Sequence, residues 1–309
     1  MLYSIFSKSK PINFVILSSL LFILFVANNA LLQTATRIWV LLVGLLVLLF
    51  GVFLVDFICK KNNLTKNNTL APLLFILFIA SFPHIFIDIK AMISGILVLI
   101  AIRRMISLRT QNNIVQKVFD ASFWILVASL FNEWALLFFA ALYGIVLIYK
   151  ISALRSFLTP LVACIVVGIL CFTYAYALDK MYLFEEVFQF SIDRGFLQSV
   201  QTSQIVTMGI LTLITAVAVL YYFIKTQKQK GVKRETSFSV LLLLLISLIV
   251  TVLGTKENSR SLVFMAFPAS VVYANLLQRL PKRWMQEALI IVSMTVPVTM
   301  LVLQFASIG

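Results

Sequence analysis

The segment "SLFNEWALLFF", residues 129–139, places Asn132 and Glu133 inside a mostly apolar run that extends from 121 to 149. A charge at the centre of a bilayer costs at least a few kcal/mol, so an acid in such a run needs either a wet position or a function. Two arrangements are compatible with the segment. It forms one long helix with Glu133 near mid-membrane, or two short helices that turn at Asn132 and Glu133.

Composition places the chain among membrane proteins. Of its 309 residues, 62% are hydrophobic and 12% are charged, and the charges cluster in short loops between apolar runs long enough to cross a hydrocarbon core. The runs lack the short alternating segments of a strand barrel, and helices satisfy every backbone group internally. The sequence therefore predicts an all-α polytopic transmembrane bundle that forms one integral membrane domain over residues 1–309.

Nine apolar runs outside the hairpin segment predict spans, which with its two legs give about eleven membrane segments. The first follows Lys8 and Lys10, as in a signal peptide, but its long apolar core and Pro11 in a first-turn position favour a retained span. The predicted spans are 12–30, 38–58, 70–88, 91–106, 157–178, 204–224, 237–254, 261–278 and 286–306.

The distribution of basic residues decides between the two arrangements of 121–149. With the hairpin and the N-terminus inside, the inner side holds 19 of the 25 Lys and Arg residues, and the outer side holds seven of the eleven acids. With a single helix every later loop changes sides, and the same count becomes 13 inside against 12 outside. Cytoplasmic loops carry the excess of Lys and Arg, so the count favours a short-helix hairpin at 121–149.

The net charge of +14 is spread over helix ends, which argues for membrane orientation and against nucleic acid as a partner. Two inner stretches have further expected roles. Residues 103–120 carry apolar side chains on one side and predict a helix lying on the inner membrane surface. The basic loop 225–236, "KTQKQKGVKRET", is expected to contact anionic lipid headgroups.

The single histidine of the chain, His84, lies in "SFPHIFIDIK", near the outer end of the third predicted span. Pro83 should bend that helix, and Asp88 follows His84 by four residues, which places both on one helix face. With Lys90 nearby, the pair could act as an acid/base unit or bind a phosphate. A local ion pair at a wet helix end is the alternative.

A second polar cluster lies in the predicted outer turn "GTKENSRSL", residues 254–262. Lys256 and Arg260 could hold a phosphate or pyrophosphate, with Arg giving bidentate contacts. The alternative is that these residues only solvate a tight turn. Glu133 likewise has two possible interpretations. It takes part in substrate binding or proton transfer, or it is a turn residue that is solvated and has no role in function.

Several classes of enzyme lack motif support. The chain has no P-loop, no G-x-G-x-x-G, no G-x-S-x-G and no H-E-x-x-H, and one histidine is too few for a non-haem iron site or a bis-histidine haem. Cys59, Cys164 and Cys171 form no Cys-x-x-Cys metal motif. The sequence predicts no cofactor and no metal.

Four stretches carry a resemblance that extends over most of the chain: "FSKSKPINF" at 6–14, "AIRRMISLR" at 101–109, "FDASFWILVASLF" at 119–131 and "SRSLVFMAFPAS" at 259–270. In them the chain resembles an uncharacterised family of multi-pass inner-membrane proteins of Bacteroidetes. The resemblance implies an integral protein of the bacterial inner membrane and offers no reaction.

In architecture, the hairpin followed by a basic inner turn is similar to polytopic glycosyltransferases that use polyprenyl-phosphate sugars. Those enzymes place a catalytic acid in the first outer loop, whereas the corresponding "NNALLQTATR", residues 28–37, contains none. Asp88 or Glu133 would have to substitute for it.

Two functions are therefore expected from different classes. The first is binding or processing of a lipid-linked, phosphate-bearing cell-envelope precursor at the outer face, with membrane lipids and a polyprenyl-phosphate-linked substrate as partners. In it Glu133, Asp88 and His84 would be catalytic, and Lys256 and Arg260 would bind phosphate. The second is a non-catalytic assembly or transport subunit that contacts other membrane proteins.

Overall fold

The computed structural model describes residues 2–31, 38–179, 202–254 and 260–308, and in these ranges the chain is all-helical. Within the described ranges four 3-10 turns, at Leu108–Thr110, Pro83–Phe86, Glu133–Leu137 and Arg260–Leu262, separate some of the helices. We call the last three the Pro83 turn, the Glu133 turn and the Arg260 turn. The helices are α1 (Leu2–Phe6), α2 (Pro11–Leu31), α3 (Ile38–Asn62), α4 (Leu70–Ala80), α5 (Ile89–Ser107), α6 (Ile114–Ser129), α7 (Phe138–Ile148), α8 (Leu154–Ala177), α9 (Thr202–Gln227), α10 (Val232–Leu253), α11 (Val263–Leu277) and α12 (Arg283–Ile308).

Six of the described helices, α2, α3, α5, α8, α10 and α12, are long and apolar enough to cross a membrane. The chain is therefore an integral membrane protein. Four shorter apolar helical stretches accompany them, at Leu70–Ala80, Glu133–Ile148, Thr212–Gln227 and Val263–Leu277. The larger count of about eleven membrane segments, with the N-terminus inside, stays a prediction.

Two of the short helices form the centre of the bundle. Every residue of α4 is buried, and so are nearly all residues of α11. Both helices are apolar around their whole circumference, which is the pattern of a helix enclosed by others. The longer α2, α3, α8 and α12 bury only a third or less of their most apolar windows inside the protein. These four leave large apolar side chains available to lipid.

The segment 121–149 breaks into two helices, as the charge count predicts. α6 ends at Ser129, the Glu133 turn follows, and α7 begins at Phe138. Near the tip, the Ser94 hydroxyl at the start of α5 donates to Ala128 O at 3.1 Å. At the other end, Gln111 Nε2 donates to Tyr149 O at 3.2 Å, so α7 returns to the end from which α6 departs.

The hairpin gives the bundle two distinct ends. We call the end that holds the Pro83, Glu133 and Arg260 turns the tip end, and the opposite end the basic end. The order of the helices puts 19 of the 25 Lys and Arg residues at the basic end. They are Lys8, Lys10, Lys60, Lys61, Lys66, Arg103, Arg104, Arg109, Lys117, Lys150, Arg155, Lys225, Lys228, Lys230, Lys233, Arg234, Arg279, Lys282 and Arg283.

Two predictions about local structure were wrong. No separate surface helix spans 103–120, because α5 continues to Ser107 and α6 already begins at Ile114. An ion pair of 3.0 Å between Arg104 and Asp120 joins these two helix ends. The predicted third span, 70–88, is also interrupted: α4 ends at Ala80, and Pro83 starts a separate 3-10 turn because proline has no N–H to continue a helix.

Candidate functional site

Asp88 is the N-cap of α5. Its Oδ1 accepts hydrogen bonds from the backbone N–H groups of Lys90, at 2.9 Å, and Ala91, at 3.2 Å. An Asp at this position satisfies backbone donors that have no partner inside the helix and interacts favourably with the helix dipole. The carboxylate is therefore directed to the first turn of α5, and the expected shared helix face with His84 does not form.

We expect Asp88→Ala to destabilise the protein by about 1 kcal/mol, because the first turn of α5 loses its cap. Asp88→Asn should leave the free energy of unfolding nearly unchanged, since an amide oxygen caps as well as a carboxylate. Thermal unfolding of the two variants in detergent measures the difference. Equal losses for both would show that the charge of Asp88, and not its capping bond, stabilises this end.

His84 lies in the Pro83 turn and is half-buried. Burial lowers the pKa of His84 below its ordinary value, so the imidazole is neutral at neutral pH. A neutral ring can donate or accept one hydrogen bond but does not supply the positive charge that holds a phosphate. His84 O accepts the backbone N–H of Asp88 at 3.3 Å, which keeps the two residues in one local turn.

Glu133 is tolerated because the hairpin turns at this residue. The buried Asn132 caps the Glu133 turn, its Oδ1 accepting the backbone N–H of Trp134 at 3.1 Å. Trp134 and Ala135 are buried, whereas Glu133 is only half-buried at the end of the bundle. The acid thus has a position at the tip instead of the mid-membrane position that a single helix would give it.

The tip end brings together the three turns that contain the candidate site residues His84, Glu133 and Arg260. The Pro83 turn packs against the Arg260 turn, and the Glu133 turn packs against the end of α10, which also contacts the Arg260 turn. The Ser261 hydroxyl donates to Gly254 O at 3.3 Å and closes the connection from α10. Lys256 lies outside the described residues. Arg260 begins its turn, and its side chain is likewise outside the described part.

An apolar groove lies between α2 and α3 and ends beside the Pro83 turn. It borders about 710 Å³ of empty space, part of which is open to the surroundings, and Phe22, Val26 and Ile38 on its walls are largely exposed toward the lipid side. At its end Phe25 packs edge-on against Phe86 with ring centroids 5.6 Å apart. The groove is therefore continuous with the segment that carries His84 and Asp88.

One family matches the chain, over residues 1–309, and it is described as a family of unknown function. The chain belongs to the DUF6427 family. No curated protein matches, and no solved structure matches. Membership in DUF6427 fixes no activity, so the relation to Bacteroidetes proteins and the likeness to glycosyltransferases stay predictions.

A polar network at the basic end of this DUF6427 protein was not predicted from the sequence. Asn275, buried in α11, donates from Nδ2 to Leu64 O at 3.0 Å and to Val271 O at 2.8 Å. Its Oδ1 accepts a hydrogen bond of 2.6 Å from the ammonium of Lys225. An amide inside the apolar stretch "VVYANLLQ", residues 271–278, was the available signal, because buried polar groups require partners.

Across the ranges that the structure describes, no three His, Cys, Asp or Glu side chains gather as metal ligands do. The described tip end includes the carboxylates of Asp88 and Glu133, the ammonium of Lys90, one neutral imidazole and backbone groups. At the basic end, amide and carbonyl oxygens accept hydrogen bonds from cationic side chains such as Arg109 and Lys225.

Proposed function

We propose that the protein binds a lipid-linked, phosphate-bearing cell-envelope precursor at the tip end, and that the tip end faces outward from the bacterial inner membrane. The orientation is supported by the 19 Lys and Arg residues at the opposite end, since basic loops remain on the cytoplasmic side. The coarser conclusion, an integral membrane protein, rests on the six apolar helices alone.

The observation that carries the proposal is the position of the apolar groove. The groove reaches the Pro83 turn, where Asn29 Nδ2 lies 3.5 Å from Phe86 O, and that turn packs against the Arg260 turn. A polyprenyl chain in the groove would bring its phosphate to this polar end. Lys256 and Arg260, which follow α10 in the sequence stretch 254–262, are the cations proposed to hold it.

The acids have separate roles in this proposal. Asp88 shapes the start of α5 through its capping bonds, so its carboxylate is already engaged. Glu133 is half-buried at the same end and is the candidate general base for processing of the bound precursor. His84, which is neutral, would orient a substrate group through a hydrogen bond.

Binding of a polyprenyl phosphate to the full chain in nanodiscs tests the proposal, with the uncharged polyprenol as the matched ligand. We expect the phosphate form to bind at least about tenfold more tightly, because losing a charge-assisted contact costs more than 1.4 kcal/mol. The double variant Lys256→Gln/Arg260→Gln should abolish that preference. Lys230→Gln, which removes a charge at the basic end but lines neither pocket there, should preserve it.

Equal binding of the two ligands, or a preference that survives the double variant, would refute the proposal. The expectation of a non-catalytic assembly or transport subunit would then become the better account. It predicts stable co-purification with another membrane protein, independent of Glu133, Asp88, Lys256 and Arg260.

A further inference from the structure

The basic end contains a polar cleft bounded by the ends of α3 and α9 and the start of α10. It borders about 470 Å³ of empty space that is partly open to solvent, and a second depression, bordering about 570 Å³ of such space, shares Lys225 and Gln229 with it. We call the two together the basic cleft. Its cationic lining residues are Arg109, Lys225, Lys228, Lys233 and Arg279.

Arg109 is fixed in the wall of the cleft. Its Nη1 donates to Asn62 O and its Nη2 donates to Lys61 O, both at 2.7 Å, which satisfies the last carbonyls of α3. A guanidinium has five N–H donors in a rigid plane, so three remain after these two bonds. The group is therefore oriented in advance and retains donors for an anion.

Lys225 is fixed in the same way by the network described above. The amide of Asn275 holds its ammonium at 2.6 Å, and the ammonium also lies 5.4 Å from the centre of the Tyr222 ring. An ammonium has three N–H donors, so two remain beyond the bond to Asn275. The half-buried position means that Lys225 cannot turn fully into water as a surface lysine does.

The described residues that line the cleft include no Asp or Glu, so no carboxylate of the lining neutralises its positive charges. Arg279 and Lys66 are close enough to repel Lys225. The described acids of this end have other neighbours. Asp56 forms an ion pair of 2.7 Å with Lys60, Asp120 forms one with Arg104, and Glu235 interacts electrostatically with Tyr149. Like charges held together in a partly dry cleft favour a bound anion.

A phosphate group matches these donors best. Arginine recognises its oxygens in a planar, two-point geometry, and lysine contributes a compact charge. Gln229 and Ser237 add neutral polar groups to the same lining. We propose that the basic cleft binds a phosphate group through Arg109, Lys225 and Lys233, as a site separate from the tip end.

The phosphate could come from an anionic lipid headgroup or from a free phosphorylated solute. Titration of the full chain in maltoside detergent, with dioctanoyl phosphatidic acid in one arm and inorganic phosphate in the other, distinguishes the sources. Binding of phosphatidic acid alone assigns a headgroup, and binding of both with similar affinity assigns the phosphate itself. Dioctanoylglycerol, which has the same chains without phosphate, is the control ligand.

Lys233→Gln is the decisive variant because Lys233 is exposed and its loss does not endanger folding. We expect it to weaken binding about tenfold, as expected for one lost charge-assisted hydrogen bond. Lys230→Gln, three residues before Lys233 and outside the cleft lining, is the charge-matched control and should weaken binding less than about twofold. Lys225→Gln should weaken binding at least as much as Lys233→Gln.

Saturable binding that Lys233→Gln weakens and Lys230→Gln spares supports the site. Two results would overturn it: neither phosphate probe binds in a saturable way, or the two glutamine variants weaken binding equally. The second result would mean that the net positive charge around the connection between α9 and α10 attracts anions, and that the cleft is not a specific binding site.

Discussion

Trp134→Ala is expected to lower the free energy of unfolding by about 4 kcal/mol, the effect of removing a large aromatic side chain from a packed core. The side chain is 8% exposed, although it belongs to a short turn at the end of the bundle. It packs against Gly254, where an added Cβ would lie 2.9 Å from the indole Cδ1. Truncation would leave a cavity where the hairpin meets the end of α10.

Unfolding by SDS titration in mixed micelles measures this loss, and the matched control is Trp284→Ala. Trp284 is 66% exposed, so its removal should change the free energy of unfolding by less than about 1 kcal/mol. If both variants lose the same stability, Trp134 contributes as an interfacial tryptophan and does not join the hairpin to α10.

Asn275→Leu is expected to cost about 3 kcal/mol, because buried partners left without a hydrogen bond each cost roughly 1–3 kcal/mol. The substitution keeps the approximate volume but removes both donors and the acceptor. Leu64 O loses its amide partner, and the half-buried ammonium of Lys225 loses its acceptor. The loop after α3 and the end of α9 would each lose a side-chain hydrogen bond to α11.

A double-mutant cycle with Lys225→Met separates the two contributions. Residues in direct contact show coupling of about 0.5–3 kcal/mol, so the two substitutions together should cost less than the sum of their separate costs. Asn112→Leu, at an exposed position of the basic end, is the control and should be nearly neutral. Strict additivity would show that the bond between Lys225 and Asn275 does not stabilise the fold.

The hairpin could be predicted because it has consequences far along the sequence. A single helix at 121–149 would move every later loop to the other side of the membrane, so basic residues as distant as Arg283 report on the turn at Glu133. The local signal is also present, since Asn132 is a residue type that caps a helical turn and does so here.

The false surface helix at 103–120 has a local cause. Apolar residues from two adjoining helix ends give one apparent amphipathic face when they are placed on a single helix. Gln111 and Asn113 have φ angles of 53° and 49°, left-handed conformations that reverse the chain between α5 and α6. The asparagines at 112–113 were the signal for this turn, since asparagine tolerates that conformation better than most residues.

The candidate sites were less predictable because they depend on contacts between distant segments. Pro83 predicts an interruption, but not that Asp88 then caps the next helix and so uses its carboxylate in the backbone. The partners of Asn275 are Leu64 and Lys225, on two other segments, and no periodicity within α11 indicates them. Charge counts locate the basic end, whereas its cleft follows only from how α3, α9 and α10 meet.

Labelling of single cysteines by a membrane-impermeant thiol reagent tests the central claim, that the chain turns at Glu133 and separates a tip end from a basic end. The background replaces Cys59, Cys164 and Cys171, and cysteine is introduced in turn by Asn112→Cys, Glu133→Cys and Lys150→Cys. The hairpin predicts that positions 112 and 150 react from the same side of the membrane and position 133 from the other. Reaction of 112 and 150 from opposite sides would mean that 114–148 crosses once, which would contradict the architecture and both proposed sites.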